Sequence, residues 1–156
     1  MITAQDFTIY GSDQKKICGP INFKIKENCI TLIQGPNGAG KSSFLKYLVN
    51  GSNTHTGKLV LNQSHFNFSH LPQSYSNDFQ LPTSLKHILN AFEVKERYLS
   101  ANLSFDLLWR TCSGGEKQRI LLDIVLNRKA DILLLDEPTN SLDENSKGVL
   151  WKSLKM

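Results

Sequence analysis

Three features of the sequence predict an α/β fold built around a parallel sheet. Cys29-Ile30-Thr31-Leu32-Ile33-Gln34 is a β-branched, apolar run stopped by Gly35-Pro36, the pattern of a buried strand. Residues 42–49 then place apolar side chains at helical spacing until Asn50-Gly51, so a glycine-rich loop joins a strand to a helix. Asp131-Ile132-Leu133-Leu134-Leu135-Asp136 is apolar throughout its centre, as in a strand of a parallel sheet covered on both faces.

The remaining elements follow in order. Phe7-Thr8-Ile9-Tyr10 and Ile21-Asn22-Phe23-Lys24-Ile25 alternate as half-buried strands do. Gly57-Lys58-Leu59-Val60-Leu61-Asn62 and Phe66-Asn67-Phe68-Ser69-His70-Leu71 read as two more strands. Residues 83–92 follow Pro82, open on Thr83-Ser84 and keep helical spacing. Phe105-Asp106-Leu107-Leu108-Trp109 suggests a second short helix. Residues 116–126 read as a helix, and residues 144–154 as a further one.

With 156 residues the chain is long enough for one domain with a real core. It is 40% hydrophobic and 21% charged, ordinary for a globular protein. No apolar run reaches the roughly 18 residues that cross a bilayer, and the first residues lack the basic and apolar regions of a signal peptide. Cys18, Cys29 and Cys112 are odd in number and widely spaced, which fits a reducing cytoplasm better than a disulfide framework or zinc site. The net charge of +4 is scattered, with no run longer than Lys15-Lys16, so no nucleic-acid partner is expected. His55, His65, His70 and His87 form no close ligand pair and read as surface or core residues.

Gly35-Pro36-Asn37-Gly38-Ala39-Gly40-Lys41-Ser42, followed by Ser43, satisfies the phosphate-loop pattern G-x-x-x-x-G-K-[ST] in its proper setting between strand and helix. Loop amides and a helix N-terminus then point at one anion. Glycines let the backbone approach the phosphates closely. The pattern places Lys41 along the β- and γ-phosphates and the Ser42 hydroxyl on Mg²⁺. Downstream lie Cys112-Ser113-Gly114-Gly115-Glu116-Lys117-Gln118-Arg119 and then the apolar strand ending in Asp136-Glu137-Pro138.

These motifs, in this order, resemble the ATPase subunit of ATP-binding cassette (ABC) transporters from about residue 2 to residue 154. The resemblance implies a phosphate-loop NTPase core with a parallel sheet, an N-terminal antiparallel β subdomain and a short inserted helical subdomain at about residues 74–127. It implies ATP and Mg²⁺ as ligands. Tyr10 matches an aromatic residue that stacks on adenine, a role a π-face performs for any purine; packing at a strand end is the rival reading. Gln73, in Leu71-Pro72-Gln73, resembles the glutamine that contacts Mg²⁺ or the attacking water. Ser113, Gly114, Gly115 and Glu116 resemble the signature that closes over the ATP of a second subunit, with a hydroxyl and bare amides aimed outward. Asp136 is expected to hold Mg²⁺, and Glu137 to polarise the attacking water as general base. Asn140-Ser141-Leu142-Asp143 resembles the loop that bridges two protomers.

The resemblance further implies a transmembrane permease partner, a head-to-tail homodimer or pseudo-dimer, and a peripheral place on the cytoplasmic face of the membrane without insertion. Departures are Cys112 where the family usually has Leu, Glu116 for the commoner Gln, and the lack of a histidine after His87. The family carries a switch histidine on a strand beyond the carboxylates, lying between the phosphate-loop and carboxylate strands. The expectation is therefore a truncated polypeptide, and weak turnover and poor stability if this chain is the whole product. Two other readings stay open: a catalytically impaired nucleotide-binding remnant, and a soluble ABC ATPase acting on ribosomes or DNA. Leu71-Pro72-Gln73 followed by Leu81-Pro82-Thr83 resembles ATPases of zinc and manganese importers. The compact length before the signature is similar to that of haem exporters.

Overall fold

Strand alternation and helical spacing are realised in a computed structural model that describes residues 2–51, 53–62, 66–73 and 83–155. The chain divides into two compact units, residues 1–66 and 67–156. The mixed α/β architecture has an antiparallel sheet in the first and a parallel pair in the second.

In the first unit, β1 (Ile2–Tyr10) is the central strand of an antiparallel sheet ordered β2-β1-β3, with β2 at Lys16–Ile25 and β3 at Thr54–Leu61. Both longer strands begin well before the predicted runs, because each is paired from end to end, Ile2 with Ile25 on one side and with Leu61 on the other. The register slips between Gln5 and Thr8. Gly57 (φ +79°) sits there with its Cα so close to the Asp6 carbonyl that an added Cβ would lie 2.3 Å from that oxygen. Helix α1 (Lys41–Asn50) ends at Gly51 in the left-handed conformation, whose amide caps the Tyr47 carbonyl. Its buried Phe44 meets Phe7 and Phe23 edge-on, with ring centroids 6.4 and 5.5 Å apart, and Tyr47 meets Phe7 at 5.2 Å. These T-shaped contacts join the helix to the sheet.

Residues 29–34 depart from the expectation. They form no ladder, and Ile30, Leu32 and Ile33 are 53%, 70% and 39% exposed. An apolar run becomes a buried strand only when neighbours take its amides and cover its faces. Neither described sheet extends to it.

In the second unit, β4 (Phe68–Leu71) and β5 (Ile132–Leu135) pair in parallel, Phe68 with Ile132 through Leu71 with Leu135. Helix α2 (Leu85–Ala91) is shorter than predicted. The Ser84 hydroxyl bonds His87 Nδ1 and does not cap the helix. The second short helix is absent. Leu108 bridges Ser84, and a single 3-10 turn follows at Trp109–Thr111. Tertiary pairing wins there because the amides of Leu85 and Trp109 bond the carbonyls of Leu107 and Thr83. Residues 74–82, with Leu81 and Pro82, and His65 lie outside the described residues.

Helix α3 (Gly114–Asn127) is buried on two sides. Ile120 and Ile124 pack with Leu85, Ile88, Leu89 and Cys112, whereas Leu122 and Val125 pack with Leu71, Leu142 and Leu150 of helix α4 (Glu144–Ser153). The irregular segment after α2 is tied to α3 by polar side chains. Asp123 accepts from the amides of Leu99 and Ser100 at 3.0 and 2.9 Å and from the Ser100 hydroxyl. Asn127 accepts from the amides of Lys95 and Glu96 and donates to the Glu96 carbonyl. Arg97 donates to the carbonyls of Ser100 and Leu103 and lies over the Phe105 ring. No helix among the described residues is long and apolar enough to cross a membrane.

Candidate nucleotide site

The phosphate loop runs into a helix whose start has no side-chain cap. Gly40, in the left-handed conformation at φ +86°, is the N-cap of α1, and no side chain caps the first turn. That leaves N-terminal amides for an outside acceptor. Gly38 is also left-handed at φ +81°, with open space where a Cβ would stand. Gly40 is confined, for a Cβ there would lie 2.6 Å from the Ile17 carbonyl and 2.7 Å from the Cys18 Cβ. Strand β2 thus backs the loop, and only glycine permits so close an approach. The Lys41 ammonium donates to the carbonyls of Gly35 and Pro36 at 2.9 and 3.0 Å. This holds a positive charge over the loop, while residues 35–39 are all exposed. Ser42 and Ser43 are half-buried in the first turn of α1.

Tyr10 is the last residue of β1 and is half-buried, and it joins no aromatic pair among the described residues. It pairs with Lys16, and Ile9 pairs with Cys18. The β1 end bearing Tyr10 is therefore the end at which Ile17 and Cys18 support the loop.

The parallel pair of the second unit brings the carboxylates to Gln73. Leu71 and Leu135 are register partners, and the Asp136 amide extends the ladder to the Leu71 carbonyl at 2.9 Å. Two residues beyond the partners stand Gln73 and Glu137, and Gln73 Nε2 donates to Glu137 Oε2 at 2.8 Å. The Asn140 Nδ2 donates to the same oxygen at 2.5 Å. The sequence pattern places Asn140 only in a protomer-bridging loop; the signal for this contact is an Asn three residues after a carboxylate in a turn. Asp136 is 5% exposed, and its carboxylate has no hydrogen bond or ion pair among the described residues. A buried carboxylate without a protein partner fits a bound cation. No three His, Cys, Asp or Glu residues cluster as a metal cage among the described residues.

The signature is a helix start. Ser113 N-caps α3 in a capping box: the Glu116 amide donates to Ser113 Oγ at 3.3 Å, and the Ser113 amide donates to Glu116 Oε2 at 2.7 Å. The hydroxyl oxygen is thus committed to its own helix, which differs from a fully outward-facing group. Gly114 and Gly115 contribute the intervening amides, and a Cβ on Gly115 would lie 2.7 Å from the Ser141 carbonyl. The same helix bonds the carboxylate loop through Gln118 to the Pro138 carbonyl at 3.3 Å and approaches Asp143 through Arg119 at 4.0 Å.

The Ser113 amide and hydroxyl hold the Glu116 carboxyl below the usual range, and the Ser146 amide does the same for Asp143, the N-cap of α4. A depressed carboxylate stabilises the fold above its unfolded value, and that contribution is lost as pH falls through the folded value. Glu116→Gln keeps the cap geometry but removes the charge at the helix N-terminus. Its deficit in thermal midpoint is therefore expected at about pH 7 and should close below about pH 4. A constant deficit would contradict this account.

Residues 18–140 match the ABC transporter family model. The "Zinc import ATP-binding protein ZnuC" of Wigglesworthia glossinidia brevipalpis is 34% identical over 153 residues, covering 93% of this chain and 65% of that protein. The chain spans between 54% and 66% of the length of the curated relatives it matches. A putative ABC transporter ATP-binding protein from Pyrococcus furiosus has the same fold, with TM-score 0.79 at 22% identity, over 99% of this chain and 84% of that one. An archaeal ribosome recycling factor also shares it, at TM-score 0.78 and 24% identity, over 98% of this chain and 31% of that one. Phosphate loop, signature and carboxylate strand are thus joined in one matched stretch covering most of the sequence, and the chain belongs to the ABC transporter family, among its ATP-binding proteins.

Proposed function

We propose that this chain binds and hydrolyses ATP as the energising subunit of an ABC importer, with a divalent metal such as zinc as the cargo. The observation that carries the reading is the Gln73–Glu137 contact beside the buried Asp136. Parallel strands set a glutamine and two carboxylates at one sheet edge, the equipment for orienting and deprotonating a water. Zinc is favoured because the curated relatives carry zinc-import names.

In this reading the loop amides, Lys41 and Tyr10 bind the nucleotide, and Ser42, Asp136 and the Gln73 oxygen would hold Mg²⁺. Bound there, Mg²⁺ supplies neutralisation of phosphate charge. Glu137 accepts the proton of the attacking water. Ser113, Gly114, Gly115 and Glu116 present the helix start that a second protomer's γ-phosphate meets, so ATP joins two copies head to tail. The permease partner holds the pair at the cytoplasmic face of a membrane. The four residues needed for binding and chemistry, Lys41, Ser42, Asp136 and Glu137, are all present, which favours a working ATPase over a remnant.

ATP affinity and steady-state hydrolysis of the purified chain, beside Lys41→Ala, test this. Removing a charged donor to phosphate is expected to weaken ATP binding about tenfold to a hundredfold and to abolish turnover. Equal ATP affinity in the two proteins would sink the assignment. Binding without turnover in the wild type would support the remnant instead.

A further inference from the structure

Resting on the reading of Glu137 as the base, the geometry points to Asn140 as a positioning residue that selects which carboxylate oxygen accepts the proton. Glu137 lies in the left-handed region at φ +49°, unfavourable for a side chain of its size unless its surroundings hold it there. Pro138 follows, and the Asn140 amide donates to the Glu137 carbonyl at 3.1 Å, closing a tight turn. That turn folds the Asn140 carboxamide back onto the carboxylate three residues earlier, where Nδ2 meets Oε2 at 2.5 Å.

Gln73 approaches the same oxygen from another strand, at 2.8 Å. Two N–H donors therefore share Oε2, while Oε1 has no hydrogen bond among the described residues. Rotating the carboxylate would break both bonds at once. Oε1 is left as the proton acceptor with a fixed direction, a form of preorganisation that matters because small misplacements of a base are costly. Asn140 itself is exposed and acts through Glu137. Its donor is neutral, so it orients the carboxylate without pairing away the charge that general-base work requires.

The test compares the full chain with Asn140→Ala and Asn140→Asp. Losing a donor to a charged acceptor is expected to lower kcat about tenfold to a hundredfold with KM for ATP unchanged. Asn140→Asp keeps the shape and loses the donor, so it should fall at least as far; a packing role would be rescued by it. Added to Glu137→Ala, Asn140→Ala should change the residual rate by less than about twofold, since its only route of action is gone. An independent, additive loss in that background, or a proportional rise in KM, would overturn the proposal. A second readout does not depend on turnover. The side-chain amide proton resonances of Asn140 and Gln73 should lie downfield in the wild type and move together toward solvent positions in Glu137→Ala. Unshifted resonances overturn the clamp even in an active enzyme. Shifted resonances in a chain that hydrolyses no ATP would preserve the clamp and remove only the ATPase reading.

Discussion

Glu137→Gln is expected to reduce ATP turnover by about a hundredfold to ten-thousandfold while leaving ATP affinity intact. The magnitude is that of losing a positioned general base. The substitution isolates the proton-accepting role because the amide oxygen can still accept from Gln73 Nε2 and Asn140 Nδ2, so the local geometry has no reason to collapse. Single-turnover hydrolysis and nucleotide titration on the same preparation separate the two quantities. A further consequence is readable by light scattering: ATP that is not consumed should hold two copies together, so the particle mass should double with ATP in the variant alone. Undiminished turnover would remove Glu137 from the chemistry.

Asp123→Ala should cost the second unit about 3–5 kcal/mol, the sum of leaving several buried donors unpaired. Asp123 is fully buried on α3, and the amides of Leu99 and Ser100 and the Ser100 hydroxyl all converge on its carboxylate. A typical domain is stable by only about 5–15 kcal/mol, so this single change should shift the urea midpoint strongly or abolish folding. Asp123→Asn retains one acceptor oxygen but turns an N–H toward a donor, and an intermediate loss is expected. The pH dependence has the opposite sign to that of Glu116. Burial pushes the Asp123 carboxyl up despite its hydrogen bonds, so its contribution is full below the unfolded value and diminishes as pH rises through the folded one. A midpoint unchanged by Asp123→Ala would show that the segment around Leu99 holds without its anchor.

Most element identities were readable from periodicity. Residues 116–126 announced α3 and Gly51 announced the end of α1, whereas the capping box between Ser113 and Glu116 emerged only in the structure. The errors fell where pairing outweighed local preference. Leu107 and Leu108 look helical beside Trp109, yet the backbone there bonds the start of α2. Residues 29–34 have the composition of a core strand, yet no described strand lies beside them. Asp123 passed as one polar residue on a helix, because nothing in its neighbours foretells a partner 23 residues earlier.

The sequence by itself determined the family, the phosphate loop and the identity of the carboxylates, since each is a short motif whose chemistry depends on neighbours in the chain. Only the tertiary structure decided that Gln73 and Asn140 share one oxygen of Glu137. That depends on a parallel register carrying Gln73 to a residue 64 positions away and on a turn folding Asn140 back. Register and turn geometry arise from cooperative pairing and packing across the sheet, which no local pattern encodes.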